Sequence, residues 1–121
     1  MTMKRLKIDH LLSYDPITEN QQHAYDSWEE GDHLVLCGSS GTGKTFVGMY
    51  LALQEVMDRK YDQEKLVIVR SVVPTREMGY LPGSIEEKVD AYTAPYRAIA
   101  TELFNEKKAY EQLEQQNKIE F

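Results

Sequence analysis

The 121-residue chain carries 28% charged and 41% hydrophobic residues, the mix of one small globular domain rather than of a low-complexity chain. Fourteen Lys and Arg against twenty Asp and Glu give a net charge of −6, which argues against a dedicated nucleic-acid-coating module but leaves room for a local basic groove. One cysteine, Cys37, excludes an internal disulfide framework and a cysteine-ligated structural zinc site.

No run approaches the roughly 20 apolar residues of a membrane helix. The opening MTMKRLKIDHLL lacks the apolar stretch and small-residue cleavage site of a secretory signal. The expected compartment is therefore the cytoplasm, with no membrane partner. Residues 1–17 form a mostly polar lead-in ending at Asp15-Pro16. Thr18, with Gln21 three residues on, fits a capping box that opens a helix. Ala24, Tyr25 and Trp28 give that helix an apolar face, and Gly31 ends it. Residues 33–37 (HLVLC) are short, apolar and β-prone, which predicts a buried strand.

After a glycine-rich turn, Phe46, Tyr50, Leu53 and Met57 recur at helical spacing beside Val47 and Leu51, predicting an amphipathic helix that ends near Arg59 and Lys60. Residues 66–69 (LVIV) predict a second buried strand. Strand, helix and strand in that order suggest a βαβ unit with a parallel sheet. Residues 70–84 form a loop by their prolines and glycines. Ser84 with Glu87 opens another helix, whose stripe is Tyr96, Ile99, Ala100 and Leu103. From residue 106 to 121 the chain is polar and charged, expected to be helical at first and then frayed.

The turn itself, Gly38-Ser39-Ser40-Gly41-Thr42-Gly43-Lys44-Thr45, matches G-x-x-x-x-G-K-S/T in full. Backbone N–H groups must turn inward to hold phosphate oxygens, and glycines permit the positive φ angles this needs. The helix beginning there adds unpaired N–H groups and its positive dipole end. Lys44 is placed to reach the β- and γ-phosphates and is the catalytic candidate, and the Thr45 hydroxyl is the Mg²⁺ ligand. The expected cofactors are ATP and Mg²⁺. Cys37, just before the loop, reads as a small core residue at a strand end, with a redox-sensitive thiol as the alternative. His10, His23 and His33 show no metal spacing and read as structural or surface residues.

Two further segments narrow the class. Residues 70–83 (RSVVPTREMGYLPG) and the continuation SIEEKVDAYTAPY closely resemble the PhoH-like family of phosphate-starvation-inducible ATP-binding proteins, frequent also in phages. The resemblance runs from about residue 18 to 105. It implies an α/β fold, part of a RecA-like P-loop NTPase core with flanking helices, related to the first motor domain of superfamily 1 helicases. It implies ATPase activity linked to RNA or single-stranded nucleic acid, and a homo-oligomer when full length. It makes Arg70, Arg76 and Lys88 candidate backbone-phosphate contacts, with solvated or ion-paired charges as the alternative. Gln21 resembles the glutamine that reads the adenine edge in helicase-like relatives, since an amide both donates and accepts; the capping box needs no ligand. Tyr80 and Leu81 stand either as an exposed interaction element or as a packed plug.

Hydrolysis needs a second motif, an apolar strand ending in an acid that holds Mg²⁺ and helps orient water. Neither apolar run ends in one, and residues 106–121 look too polar to supply it. The chain is therefore expected to be an N-terminal part truncated before that motif. The alternative to an ATPase is a noncatalytic remnant that binds nucleotide or a partner without turnover. A small P-loop kinase would need an arginine-bearing lid that GYLPG does not resemble.

Overall fold

The computed structural model describes residues 6–38, 43–58, 64–70 and 85–121, the last stretch with side chains from Ala91 onward. They fall into two compact units, Lys7–Glu64 and a second that takes in Leu6 and the described residues from Lys65 to Phe121.

In the first unit a 3-10 turn, Ile8–His10, leads into an extended segment. Helix α1, Glu19–Glu29, starts where expected: the Thr18 hydroxyl accepts from the Gln21 backbone N–H at 3.1 Å, satisfying a first-turn donor. It stops where Gly31 turns to φ +88°, its N–H donating to the Trp28 carbonyl at 3.0 Å. Left-handed φ of this kind favours glycine after a helix end. Helix α2, Lys44–Met57, buries Val47, Tyr50, Leu51, Leu53 and Met57 of the expected stripe, and also Met49 and Val56. Phe46 is half-buried, edge-on to the Tyr14 ring at 5.1 Å.

Two expectations for this unit need correcting. Residues 33–37 do not form a buried strand: 32–38 belong to no helix or strand, Val35 is 87% exposed, and Cys37 is exposed. A strand exists by pairing, and among the described residues nothing pairs with this run. Leu34 and Leu36 are half-buried, so only alternate side chains are covered. The lead-in, though polar in composition, is packed at Tyr14, whose ring stands edge-on to Phe46 and Tyr50.

The second unit holds a parallel two-stranded sheet. Strand β1, Leu66–Val67, pairs with β2, Ile119–Glu120, in the register Leu66↔Ile119 and Val67↔Glu120. Between them in sequence run α3, Ile85–Phe104, and α4, Ala109–Gln115, the long crossover a parallel pair requires. The fold is thus mixed α/β with a parallel sheet, as expected, but the parallel partner of the 66–69 run is the C-terminal segment and not residues 33–37. The core comprises Ala100, Leu103 and Phe104 of α3, Ala109, Tyr110 and Leu113 of α4, and Ile119 and Leu6. Residues 106–121 are helical at first, as expected, but then pair as β2 with Ile119 buried instead of fraying. Asn105 and Asn117 take left-handed φ of 50° and 59° just past the two helices, a conformation asparagine tolerates better than most residues. Pro95 sits inside α3. The carbonyl it leaves without a helical donor belongs to Ala91, and both residues are exposed, so water can satisfy it.

Candidate functional site

The site is built on the start of α2. Gly43 is the N-cap, at φ +82° and ψ 17°. A Cβ there would meet nothing within 4 Å, so conformation rather than space calls for glycine. Among the described residues no side chain caps the helix. Its first N–H groups have no intrahelical acceptor and, with the positive end of the dipole, suit an anion. The Lys44 ammonium donates to the Gly38 carbonyl, tying together the two described ends of the turn. Lys44 is half-buried and Thr45 exposed. Ser39, Ser40, Gly41 and Thr42 lie outside the described residues.

A cleft of about 580 Å³ opens beside this turn. Its wall combines Gly38, Gly43 and Lys44 with Thr18, Gln21 and Ala24 from α1, and with Val35, Leu36, Cys37 and Val47. Gln21 is therefore brought to the same concavity as the helix start. It also takes part in the cap: its N–H donates to Thr18 Oγ1, while its Oε1 accepts at 2.7 Å from the N–H of Ile17, one residue before the N-cap. The Ile17 N–H engages the acceptor end of the amide, so the adenine reading keeps the donor end. Cys37 is not a core residue; it is exposed and lines the cleft. His23, read as a structural or surface residue, is exposed at the same wall.

Sequence reasoning missed a polar device behind the wall. The Tyr50 hydroxyl accepts from the Tyr14 N–H at 3.1 Å and from Gln54 Nε2 at 2.8 Å, and the Tyr25 hydroxyl donates to the Tyr14 carbonyl at 3.0 Å. Both tyrosines sit at helical core spacing, where only their rings register; nothing in the spacing announces the hydroxyls. Burial pushes the Tyr25 phenol above its usual range, with Tyr50 and Asp15 adding to the effect.

The remaining candidates belong to the second unit. Arg70 is exposed, its guanidinium 5.1 Å over the Tyr92 ring and its Nη1 3.4 Å from the Tyr92 carbonyl. Arg76, the Lys88 side chain, Tyr80 and Leu81 lie outside the described residues. The C-terminal segment contains a short strand that ends in an acid, and Glu120 is ion-paired with Lys65. Among the described residues no cluster of three His, Cys, Asp or Glu could hold a metal, and no helix is long and apolar enough to cross a membrane.

The sequence profile of the family described as PhoH-like protein matches residues 13–121. Protein PhoH2 of Bacillus subtilis is 34% identical over 111 residues, covering 88% of this chain and 25% of that protein. A PhoH-like protein of Synechocystis is 33% identical over 79 residues, covering 64% of this chain and 24% of its own length. One of Mycobacterium leprae is 31% identical over 81 residues, covering 66% and 23%. The chain thus spans about a quarter of the length of these curated relatives. No solved structure matches it. With the profile extending over most of the chain, and with GYLPGSIEEKVDAYTAPY read as it was above, the chain belongs to the PhoH-like protein family.

Proposed function

We propose that this chain binds ATP with Mg²⁺ through residues 38–45 and forms the nucleotide-binding part of a nucleic-acid-linked, RNA-helicase-like ATPase built on a RecA-like P-loop core. The observation that carries this reading is the meeting of three features at one cleft: an uncapped helix start at Gly43, the Lys44 ammonium, and the Gln21 amide. The volume of about 580 Å³ suits a nucleotide, since small-molecule sites run from about 300 to 1,000 Å³. Lys44 would sit against the β- and γ-phosphates, the Thr45 hydroxyl would hold Mg²⁺, and the amides of residues 39–43 would face phosphate oxygens. The bound metal supplies charge neutralisation on the phosphates. Lys44 in the meantime is held by a carbonyl, a contact that phosphate oxygens would replace with stronger, charge-assisted ones.

Arg70, stacked on Tyr92, offers an exposed cation beside an aromatic face, the pairing that single-stranded nucleic acid uses for phosphate and base; Arg76 and Lys88 are further candidates from the sequence alone. The test is equilibrium dialysis of ATP·Mg²⁺ against the chain and its Lys44→Ala variant, followed by phosphate release with and without RNA. Binding lost in the variant, with RNA-stimulated release, supports the ATPase. Binding without release supports a noncatalytic nucleotide-binding piece, and equal binding by both proteins contradicts the site.

A further inference from the structure

The segment before α1 is held by its backbone as well as by the Tyr14 ring, which stands edge-on to Phe46 and Tyr50. Both polar groups of Tyr14 are engaged by tyrosine hydroxyls, the N–H by Tyr50 on α2 and the carbonyl by Tyr25 on α1. Pro16 follows with its φ fixed, and the residue before a proline is itself restricted. Ile17 comes next, 89% exposed, so its side chain anchors nothing. Its N–H nonetheless donates to Gln21 Oε1 at 2.7 Å. Only the oxygen end of a carboxamide can accept from an N–H, so this bond decides which end of Gln21 is used. The NH₂ end is left as the amide's donor at the cleft that Gln21 lines.

We infer that Tyr25 and Tyr50 are positioning residues for base recognition. Their hydroxyls hold the Tyr14 backbone, the short stiff strap carries that constraint to Ile17, and the Ile17 N–H orients Gln21 so that its NH₂ donates to a ring nitrogen of a bound purine nucleotide. This rests on the nucleotide reading above and goes beyond it by naming what orients the base contact. Tyr50 lies on the same helix as Lys44, so the base end and the phosphate end of the ligand are referenced to one rigid element. Burial raises the Tyr25 phenol above its usual range, which favours the protonated form that donates to a carbonyl.

The experiment compares the affinity of the full chain for ATP·Mg²⁺ and for inorganic tripolyphosphate·Mg²⁺, which has no base. The wild type is expected to prefer ATP, and Gln21→Ala to lose most of that preference. Tyr25→Phe and Tyr50→Phe keep the rings and delete the hydroxyls. Each is expected to cut the ATP-to-tripolyphosphate preference by about three- to tenfold, the worth of one neutral hydrogen bond, with tripolyphosphate affinity unchanged. Ile17→Pro, which removes the orienting N–H, should do the same. Circular dichroism melting monitors the fold, and should Tyr50→Phe unfold, Tyr25→Phe and Ile17→Pro decide. A preference that survives these variants but falls in Gln21→Ala overturns the inference and leaves the nucleotide site standing. Equal weakening of both ligands marks a merely structural role and also overturns it. Binding of neither ligand by folded wild-type chain overturns both.

Discussion

Tyr110 shows how a single buried group departs from what its position suggests. Its side chain is almost wholly buried and Arg97 stacks over its ring at 5.0 Å, yet its hydroxyl has no hydrogen-bond partner among the described residues. A buried unsatisfied hydroxyl costs about 1–3 kcal/mol. Tyr110→Phe should therefore leave the fold intact and raise its unfolding free energy by up to about 1 kcal/mol in a urea titration; a clear loss of stability would show that the hydroxyl is satisfied after all. Thr18 and Gln21 were legible in the sequence because a capping box is a local pattern with a local geometry. Cys37 was not, because its burial depended on a strand pairing that lies beyond the reach of any local pattern. The tyrosine hydroxyls escaped for a third reason: hydropathy counts a tyrosine as a ring.

Helix α1 buries none of its residues fully, so its ends matter more than its face. Thr18→Ala removes the acceptor for the Gln21 N–H and should cost about 1 kcal/mol; unchanged denaturant midpoints would mean the cap is redundant. α2 was legible except at its end, since its apolar spacing and its glycine-rich start belong to one continuous stretch; it stops at Met57 with Asp58 extended, short of the expected Arg59 and Lys60, which lie outside the described residues. In the C-terminal segment the helix was legible but its burial at Ala109, Tyr110 and Leu113 and the strand after it were not. The glutamates and glutamines around them hid the stripe, and Ile119 gained its place only by pairing with Leu66 far back in the chain. The 33–37 run shows the reverse error: apolar content alone predicted a buried strand, and pairing, which is nonlocal, decided otherwise. The most specific family signal, GYLPG, falls outside the described residues, so sequence and structure inform different parts of the chain.

Each of the two units contains a tyrosine whose pKa burial raises, Tyr25 in one and Tyr110 in the other. For a phenol the neutral form is then favoured by folding. Its contribution is fully present below the unfolded value of about 10 and is lost as pH rises through the folded value, because there the unfolded chain has released a proton that the native chain retains. Melting temperature should thus show no tyrosine-driven change between neutrality and about pH 10 and should fall above it; a fall that sets in well below would contradict the assignment. The nucleotide site, by contrast, depends on Lys44 and main-chain amides rather than on these phenols. Its most direct test is a calorimetric titration of the folded 121-residue chain with ATP·Mg²⁺, beside the same titration of Lys44→Ala. Saturable heat from the wild type that disappears in the variant is the predicted result. Heat absent from well-folded wild type, or unchanged in Lys44→Ala, would contradict a triphosphate site at the start of α2.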